Sequence, residues 1–185
     1  MPGGKHFLTY RGEDIDRGQQ LSNINPKGSV PALRLDNGEL LTEGPAIVQY
    51  LADLKPESEL APVNGTFARY RLQEMLGYIN TELHKSYSLF NPATPDAVRE
   101  ACVNTLHKHY ALLEQRLAAQ PWLLGDRLTA ADVYLFTVTN WAGYVNLSLS
   151  AFTALASFQN RMAQRPHVRA ALEAEGLLSQ AAGQG

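Results

Sequence analysis

Cysteine is almost absent: the 185 residues contain one, Cys102. No disulfide can therefore form within the chain, and this usage fits a reducing cytoplasm. The five histidines and that single cysteine lack the spacing of a ligand set, so no metal site is expected. An excess of charge of one sign is lacking too. Sixteen basic against eighteen acidic residues leave a formal net charge of −2. That balance gives no basic field for nucleic acid and no polybasic signal for a membrane surface. No apolar run has the length of a bilayer span, and the opening Met-Pro-Gly-Gly-Lys-His lacks the apolar stretch of a secretory signal. What is present is ordinary for a water-soluble fold: 45% hydrophobic and 18% charged residues, enough apolar surface for a sizeable core.

Strand signals and tight turns are confined to the first third of the chain. Leu33-Arg34-Leu35 and Leu40-Leu41 flank Asp36-Asn37-Gly38, and an Asn-Gly turn between short apolar runs predicts a hairpin. Thr42-Glu43-Gly44-Pro45 then leads into Ile47, Val48, Tyr50 and Leu51. Pro at the start of an apolar periodic run marks a helix beginning there and reaching about Leu54. Lys5 to Tyr10 reads as a short strand, and Glu13 to Ser22 as a loop or weak helix. Lys55 to Asn64, with Pro56 and Pro62, reads as a linker.

Beyond the linker everything is helical. Thr66 to Phe90 carries Tyr70, Leu76, Ile79, Leu83 and Tyr87 at helical spacing, and a second long helix carries Val98, Cys102, Leu106, Tyr110, Leu113 and Leu117. Leu128-Thr129-Ala130-Ala131-Asp132-Val133 reads as a capping box that starts a third. Further helices are expected over Ala151–Gln164 and after Pro166, with a frayed tail from Ala181. Trp122 and Trp141 are expected in the core, and Cys102 as a buried small hydrophobe. His107 and His109 lie two apart on a helix and so point to different sides.

Three stretches, in this order and separation, resemble the glutathione transferases. They are Asn25-Pro26-Lys27-Gly28-Ser29-Val30-Pro31-Ala32-Leu33, Leu41-Thr42-Glu43-Gly44-Pro45-Ala46-Ile47 and Thr129-Ala130-Ala131-Asp132. Thr81-Glu82-Leu83-His84-Lys85, with Arg161-Met162 and Arg165-Pro166, narrows the resemblance to the bacterial beta class. It implies an α/β plus all-α architecture: a truncated thioredoxin-like domain over residues 1–54, a linker over 55–64 and an all-helical domain over 65–185. It also implies a cytoplasmic homodimer that takes glutathione as co-substrate, together with hydrophobic electrophiles.

The same resemblance assigns roles to residues. The Val30-Pro31 bond is expected to be cis, turning the backbone of Val30 outward to pair with the cysteinyl backbone of glutathione. Glu43-Gly44-Pro45 lies where a strand meets a helix N-terminus, a place that suits a carboxylate. The Gly44 amide is expected to take the γ-glutamyl carboxylate and Glu43 the ammonium beside it. His84 and Lys85 are the expected catalytic pair, favouring thiolate over thiol. Tyr87 and Phe90 are expected at the hydrophobic co-substrate site, although aromatics at that spacing are more often core.

A beta-class chain opens with a strand, a loop bearing a catalytic Cys or Ser, and a helix. The resemblance here begins near Gly3, so that roughly twenty residues of this pattern are missing. Without that strand, Phe7 to Tyr10 is expected to lack a neighbour and the hairpin to have an open edge, unless the segment repacks. Conjugation of glutathione to electrophiles is the leading expectation. A non-catalytic binding or interaction protein of this fold is one alternative; glutathione-dependent thiol-disulfide exchange or dehalogenation is another.

Overall fold

Two compact units, Met1–Asn80 and Thr81–Gly185, make up the chain, and a computed structural model describes residues 6–8 and 21–178 of it. Lys5, Thr9, Tyr10, the stretch 13–20 and the tail from Ala181 lie outside the described residues.

Unit 1 is built on a three-stranded sheet in the order β1-β2-β3, with β1 His6–Leu8, β2 Ala32–Arg34 and β3 Leu40–Thr42. Both pairings are antiparallel: His6 lies opposite Arg34, and Ala32 opposite Thr42. The expected orphan segment therefore repacks. β1 pairs directly with β2, so its backbone groups and those of the hairpin edge satisfy one another. The hairpin turns where the Asn-Gly pair predicts. Gly38 donates to the Leu35 carbonyl at 2.9 Å, Leu35 donates to that of Glu39 at 2.8 Å, and Gly38 sits at φ +87°, a conformation open to glycine.

Helix α1 is a single turn, Leu21–Ile24, and α2 runs over Gly44–Asp53 with Pro45 in its first turn. α2 packs on β2 and β3, burying Leu33, Ile47 and Ala52. A 3-10 turn, Pro56–Ser58, leads to α3, Phe67–Tyr78, whose Thr66 side chain accepts from the Arg69 amide. α3 buries Leu72, Met75 and Leu76, but Tyr70, assigned to its apolar face by the periodicity, is 59% exposed.

Arg69 holds α2, α3 and the linker together. Its side chain is 4% exposed, and its two terminal nitrogens each reach an Asp53 oxygen at 2.7 Å. It also donates to the Pro62 carbonyl at 3.0 Å and to Gln49 at 3.2 Å. The Arg69 hydrogen bonds hold the Asp53 carboxyl below its usual range against the opposing pull of burial. Asp53 is 39% exposed, so water can recover much of it once Arg69 is gone. Arg69→Ala is accordingly expected to cost about 2 kcal/mol in urea unfolding, below the roughly 3–5 kcal/mol of breaking a fully buried pair. Lysine should restore little of this, having no planar fork. Because the folded carboxyl is depressed, the pair's contribution is present above the ordinary carboxylate value of about 3.9 and fades as pH falls below it.

The stretch 66–90 departs from the expected single helix. Ile79–His84 is a π-helical segment, Lys85–Tyr87 returns to α-helix as α4, and Ser88–Phe90 is a 3-10 turn. Such segments concentrate at functional sites and have no residue signature of their own. α5 follows over Asp96–Ala119, burying Cys102, Leu106, Tyr110, Leu113 and Leu117. Val98, expected on that face, is 44% exposed. α6 covers Ala130–Tyr144, α7 Thr153–Ala163 and α8 Pro166–Ala174.

Two carboxylates fix helix starts in unit 2. Glu114 on α5 accepts from the amides of Ala154 and Leu155, both at 2.8 Å, placing negative charge at the positive end of α7. Asp132 completes the capping box of α6. Arg161 and Arg165, two residues that narrow the family resemblance, stack over Trp122 with guanidinium carbons 5.4 and 5.9 Å from the ring centre. Their role here is packing. Trp122 and Trp141 are only half-buried, where core positions were expected.

Candidate functional site

In unit 1 the site is assembled by a turn, a strand end and a helix tip. Asn25 is 1% exposed and closes the turn: Gly28 donates to its carbonyl at 2.8 Å, and its side chain donates to the Ser29 carbonyl at 2.7 Å. Pro26 sets the turn and Gly28, at φ +62°, ends it. The Val30-Pro31 peptide bond that follows is cis, as the resemblance implies, and Val30 is 43% exposed.

The tip of α2 offers a single amide. Pro45 has no N–H, and the amides of Ala46 and Ile47 both donate to the Glu43 carbonyl, at 3.1 and 3.0 Å. The amide of Gly44 has no recorded partner among the described residues, and the helix dipole adds positive character there. Glu43 precedes it with φ +73°, a conformation uncommon outside glycine and concentrated at functional sites. Its carboxylate is 58% exposed and accepts from Lys27 at 2.6 Å. Lys27 also donates to the Thr42 hydroxyl at 3.2 Å.

In unit 2, His84 closes the π-helical segment and is half-buried, while Lys85 is exposed. The His84 Nδ1 lies 2.6 Å from the Tyr134 hydroxyl. The Trp141 ring meets the imidazole edge-on, with centroids 4.7 Å apart. Tyr87 packs against Phe90 at 5.9 Å and Trp141 at 5.8 Å, and its hydroxyl lies 2.8 Å from that of Tyr110. Burial pushes the Tyr87 hydroxyl far above its usual value, so it is neutral at any working pH and serves no acid-base step. Cys102 is buried, its thiol raised by desolvation, and it donates to the Ser86 carbonyl. This is the environment of an inert thiol. His107 meets the Ser148 carbonyl and His109 meets Glu82, on different sides of α5. Among the described residues no cluster of His, Cys, Asp and Glu is suited to a metal.

Comparison with known proteins decides the family. Residues 5–54 match the glutathione S-transferase N-terminal domain model and residues 96–174 the C-terminal one. The chain is 48% identical over 165 residues to glutathione S-transferase GstA of Escherichia coli O157:H7, covering 88% of this chain and 82% of that protein. The chain belongs to the glutathione S-transferase family. Its structural neighbours place it with the bacterial beta class. The ternary complex of BphK, a bacterial transferase, superposes with a TM-score of 0.85 at 50% identity, covering 86% of this chain and 80% of that one. The beta-class transferase of Sphingomonas chungbukensis gives 0.84 at 41%, with 88% and 82% covered. The transferase fold, a thioredoxin-like N-terminal domain followed by a helical one, is thereby established for this chain. Among the described residues no helix is long and apolar enough to cross a membrane.

Within this transferase, sequence reasoning missed three contributors. Lys27 sits inside a recognised motif, yet its pairing with Glu43, sixteen residues on, depends on how the hairpin folds back. Tyr134 lies fifty residues from His84, and Trp141 was expected only in the core. The one available signal was their shared spacing: Tyr134 and Trp141 are two helical turns apart and so project from one face of α6.

Proposed function

We propose that this glutathione transferase holds the tripeptide through the backbone of Val30 and the tip of α2, and adds its thiolate to electrophilic small molecules. Val30 and Pro31 give the cysteinyl unit of glutathione a strand-like partner. The Gly44 amide takes the γ-glutamyl carboxylate and Glu43 takes the ammonium. His84 and Lys85 are assigned to favouring the thiolate, and Tyr87 with Phe90 to the hydrophobic co-substrate. In the reaction the thiol proton leaves to solvent, the sulfur forms a bond to an electrophilic carbon, and the leaving group departs with its electron pair. The observation that carries the reading is the lone helix-tip amide of Gly44 next to an exposed carboxylate in a left-handed conformation. A titration of the chain with glutathione, followed by conjugation of a model aryl halide, tests it: saturable heat and a rate well above background are expected. Binding without conjugation would leave the non-catalytic alternative standing.

The same reading extends to the chain's setting. We infer a homodimer in the cytoplasm, on the strength of the family and the single cysteine, and a linker over 55–64 between the two domains. Sedimentation of the purified chain at twice the monomer mass is the expected result.

Lys27 supplies a test with a definite sign. Its ammonium occupies the carboxylate that the ligand's ammonium needs, in a pair more than half exposed on both sides. Such pairs are worth about 0.2–1 kcal/mol. Lys27→Met is therefore expected to bind glutathione more tightly, by up to about fivefold, by calorimetry. Weaker binding would mean that Lys27 itself holds the ligand.

A further inference from the structure

We propose that Tyr110 is a positioning residue that holds the Tyr87 hydroxyl inside the helical unit, so that Tyr87 meets the co-substrate with its ring and brings it no hydrogen-bond donor. The two phenols come from different elements, Tyr87 from α4 and Tyr110 from α5. Their hydroxyl oxygens lie 2.8 Å apart in a buried contact. Tyr110 is fully buried and Tyr87 is 9% exposed, so water competes little for that bond. The Tyr87 ring itself stands among apolar partners, Phe90 at 5.9 Å and Trp141 edge-on at 5.8 Å.

α4 cannot set this orientation alone. It is three residues long, between the π-helical segment Ile79–His84 and the 3-10 turn Ser88–Phe90, and has no long regular ladder to hold it. Two side chains of α5 hold it from outside. Tyr110 meets the Tyr87 hydroxyl, and the Cys102 thiol donates to the Ser86 carbonyl. An unpaired hydroxyl is costly in a core, and the Tyr110 bond keeps the polar end of Tyr87 there. A ring held in this way suits an electrophile that carries the developing charge itself, such as a nitro-substituted aryl halide, from which halide leaves with the electron pair. It gives no help to an epoxide. There the sulfur bonds to carbon, the C–O bond breaks, and the oxygen keeps the pair and takes a proton from a donor or from solvent. The inference rests on the co-substrate role proposed for Tyr87.

Steady-state conjugation of chlorodinitrobenzene and of an aryl epoxide by the full chain, read as the ratio of the two kcat/KM values, tests it. Tyr110→Phe removes only the inner hydroxyl. The Tyr87 hydroxyl loses that partner and is expected to turn toward the co-substrate. The epoxide-to-halide ratio should then rise about tenfold, the worth of one hydrogen bond. Adding Tyr87→Phe to Tyr110→Phe is expected to cancel the rise, which loosened packing alone would not do. Tyr87→Phe by itself should move both rates together. A ratio unchanged in Tyr110→Phe, a rise that survives the double substitution, or a ratio lowered by Tyr87→Phe alone overturns the proposal. Should Tyr110→Phe fail to fold, the last of these still decides. If Tyr87→Ala leaves KM for both electrophiles as it was, Tyr87 is not at the co-substrate site, and that role falls together with the proposal. A changed KM with any of the overturning ratios sinks the proposal alone. No conjugation of either electrophile by the wild-type chain would sink the transferase reading and the proposal with it.

Discussion

Asp132→Ala is expected to lower the stability of the chain by about 3–5 kcal/mol, the largest effect of any single substitution considered for this fold. Asp132 is fully buried. One of its oxygens accepts from the Leu123 amide at 2.8 Å, and the other accepts from the Thr129 amide at 2.8 Å and the Thr129 hydroxyl at 2.9 Å. Removing the carboxylate leaves two backbone amides without partners, each costing about 1–3 kcal/mol where water cannot reach. The Leu123 side chain is itself 0% exposed, so at least one of those amides lies in a sealed neighbourhood. At 2–4 °C per kcal/mol for a chain of this size, the melting temperature should fall by roughly 10 °C. Asn at this position keeps one acceptor and is expected to cost about 1–3 kcal/mol. Burial pushes the Asp132 carboxyl up, with its hydrogen bonds pulling against it. Its pH dependence therefore runs opposite to that of Asp53: the native state holds the Asp132 proton more tightly, and acidification does not remove its contribution.

Glu43→Ala is expected to weaken glutathione binding about thirtyfold while leaving the fold intact. Truncating one partner of a desolvated charge pair costs about 2–5 kcal/mol. Glu43 is more than half exposed, which puts the expectation at the low end, about 2 kcal/mol or thirtyfold. Stability should hardly change, because the pair it loses with Lys27 is exposed and alanine keeps the same left-handed backbone demand. Glu43→Gln, with an acceptor but no charge, should fall between the two. Calorimetric Kd values for the three chains, beside their melting temperatures, separate a loss of ligand contact from a loss of structure.

How much of this could be read in the residues depended on the range of each interaction. The Asn37-Gly38 turn, the start of α2 at Gly44-Pro45 and the capping box at Thr129 were legible because each is local: the residue supplies the conformation or the cap within three or four positions. Glu114, which caps α7 from forty residues away, carries no such mark; nor does Tyr134 beside His84. The π-helical segment over 79–84 was hidden because its apolar spacing resembles that of an uninterrupted helix. Tyr70 and Val98 show the complementary limit. Periodicity places a residue on a face, but only the neighbours decide how far that face is covered at its ends. The pairing of β1 with β2 was left open as a repacking because the expected strand order came from the family pattern, whereas a free edge takes the partner within reach.

The candidate site was legible in the same uneven way. Val30-Pro31 and Glu43-Gly44 stand in contiguous motifs, each next to the end of a strand where Ala32 pairs with Thr42. What the motifs did not reveal is that Gly44 holds the one unpartnered amide of the first turn of α2 among the described residues, a result of Pro45 beside it and the shared Glu43 carbonyl behind it. That detail turns a general preference of helix ends for anions into a specific claim about one N–H group.

Isothermal titration of the intact chain with glutathione, set beside the same tripeptide lacking its γ-glutamyl unit, tests that claim most directly. Saturable binding of glutathione, lost or sharply weakened for the shortened peptide, is the expected outcome. Equal affinity for both peptides, or no heat with either, would contradict the assignment of the α2 tip and Glu43 as the γ-glutamyl anchor.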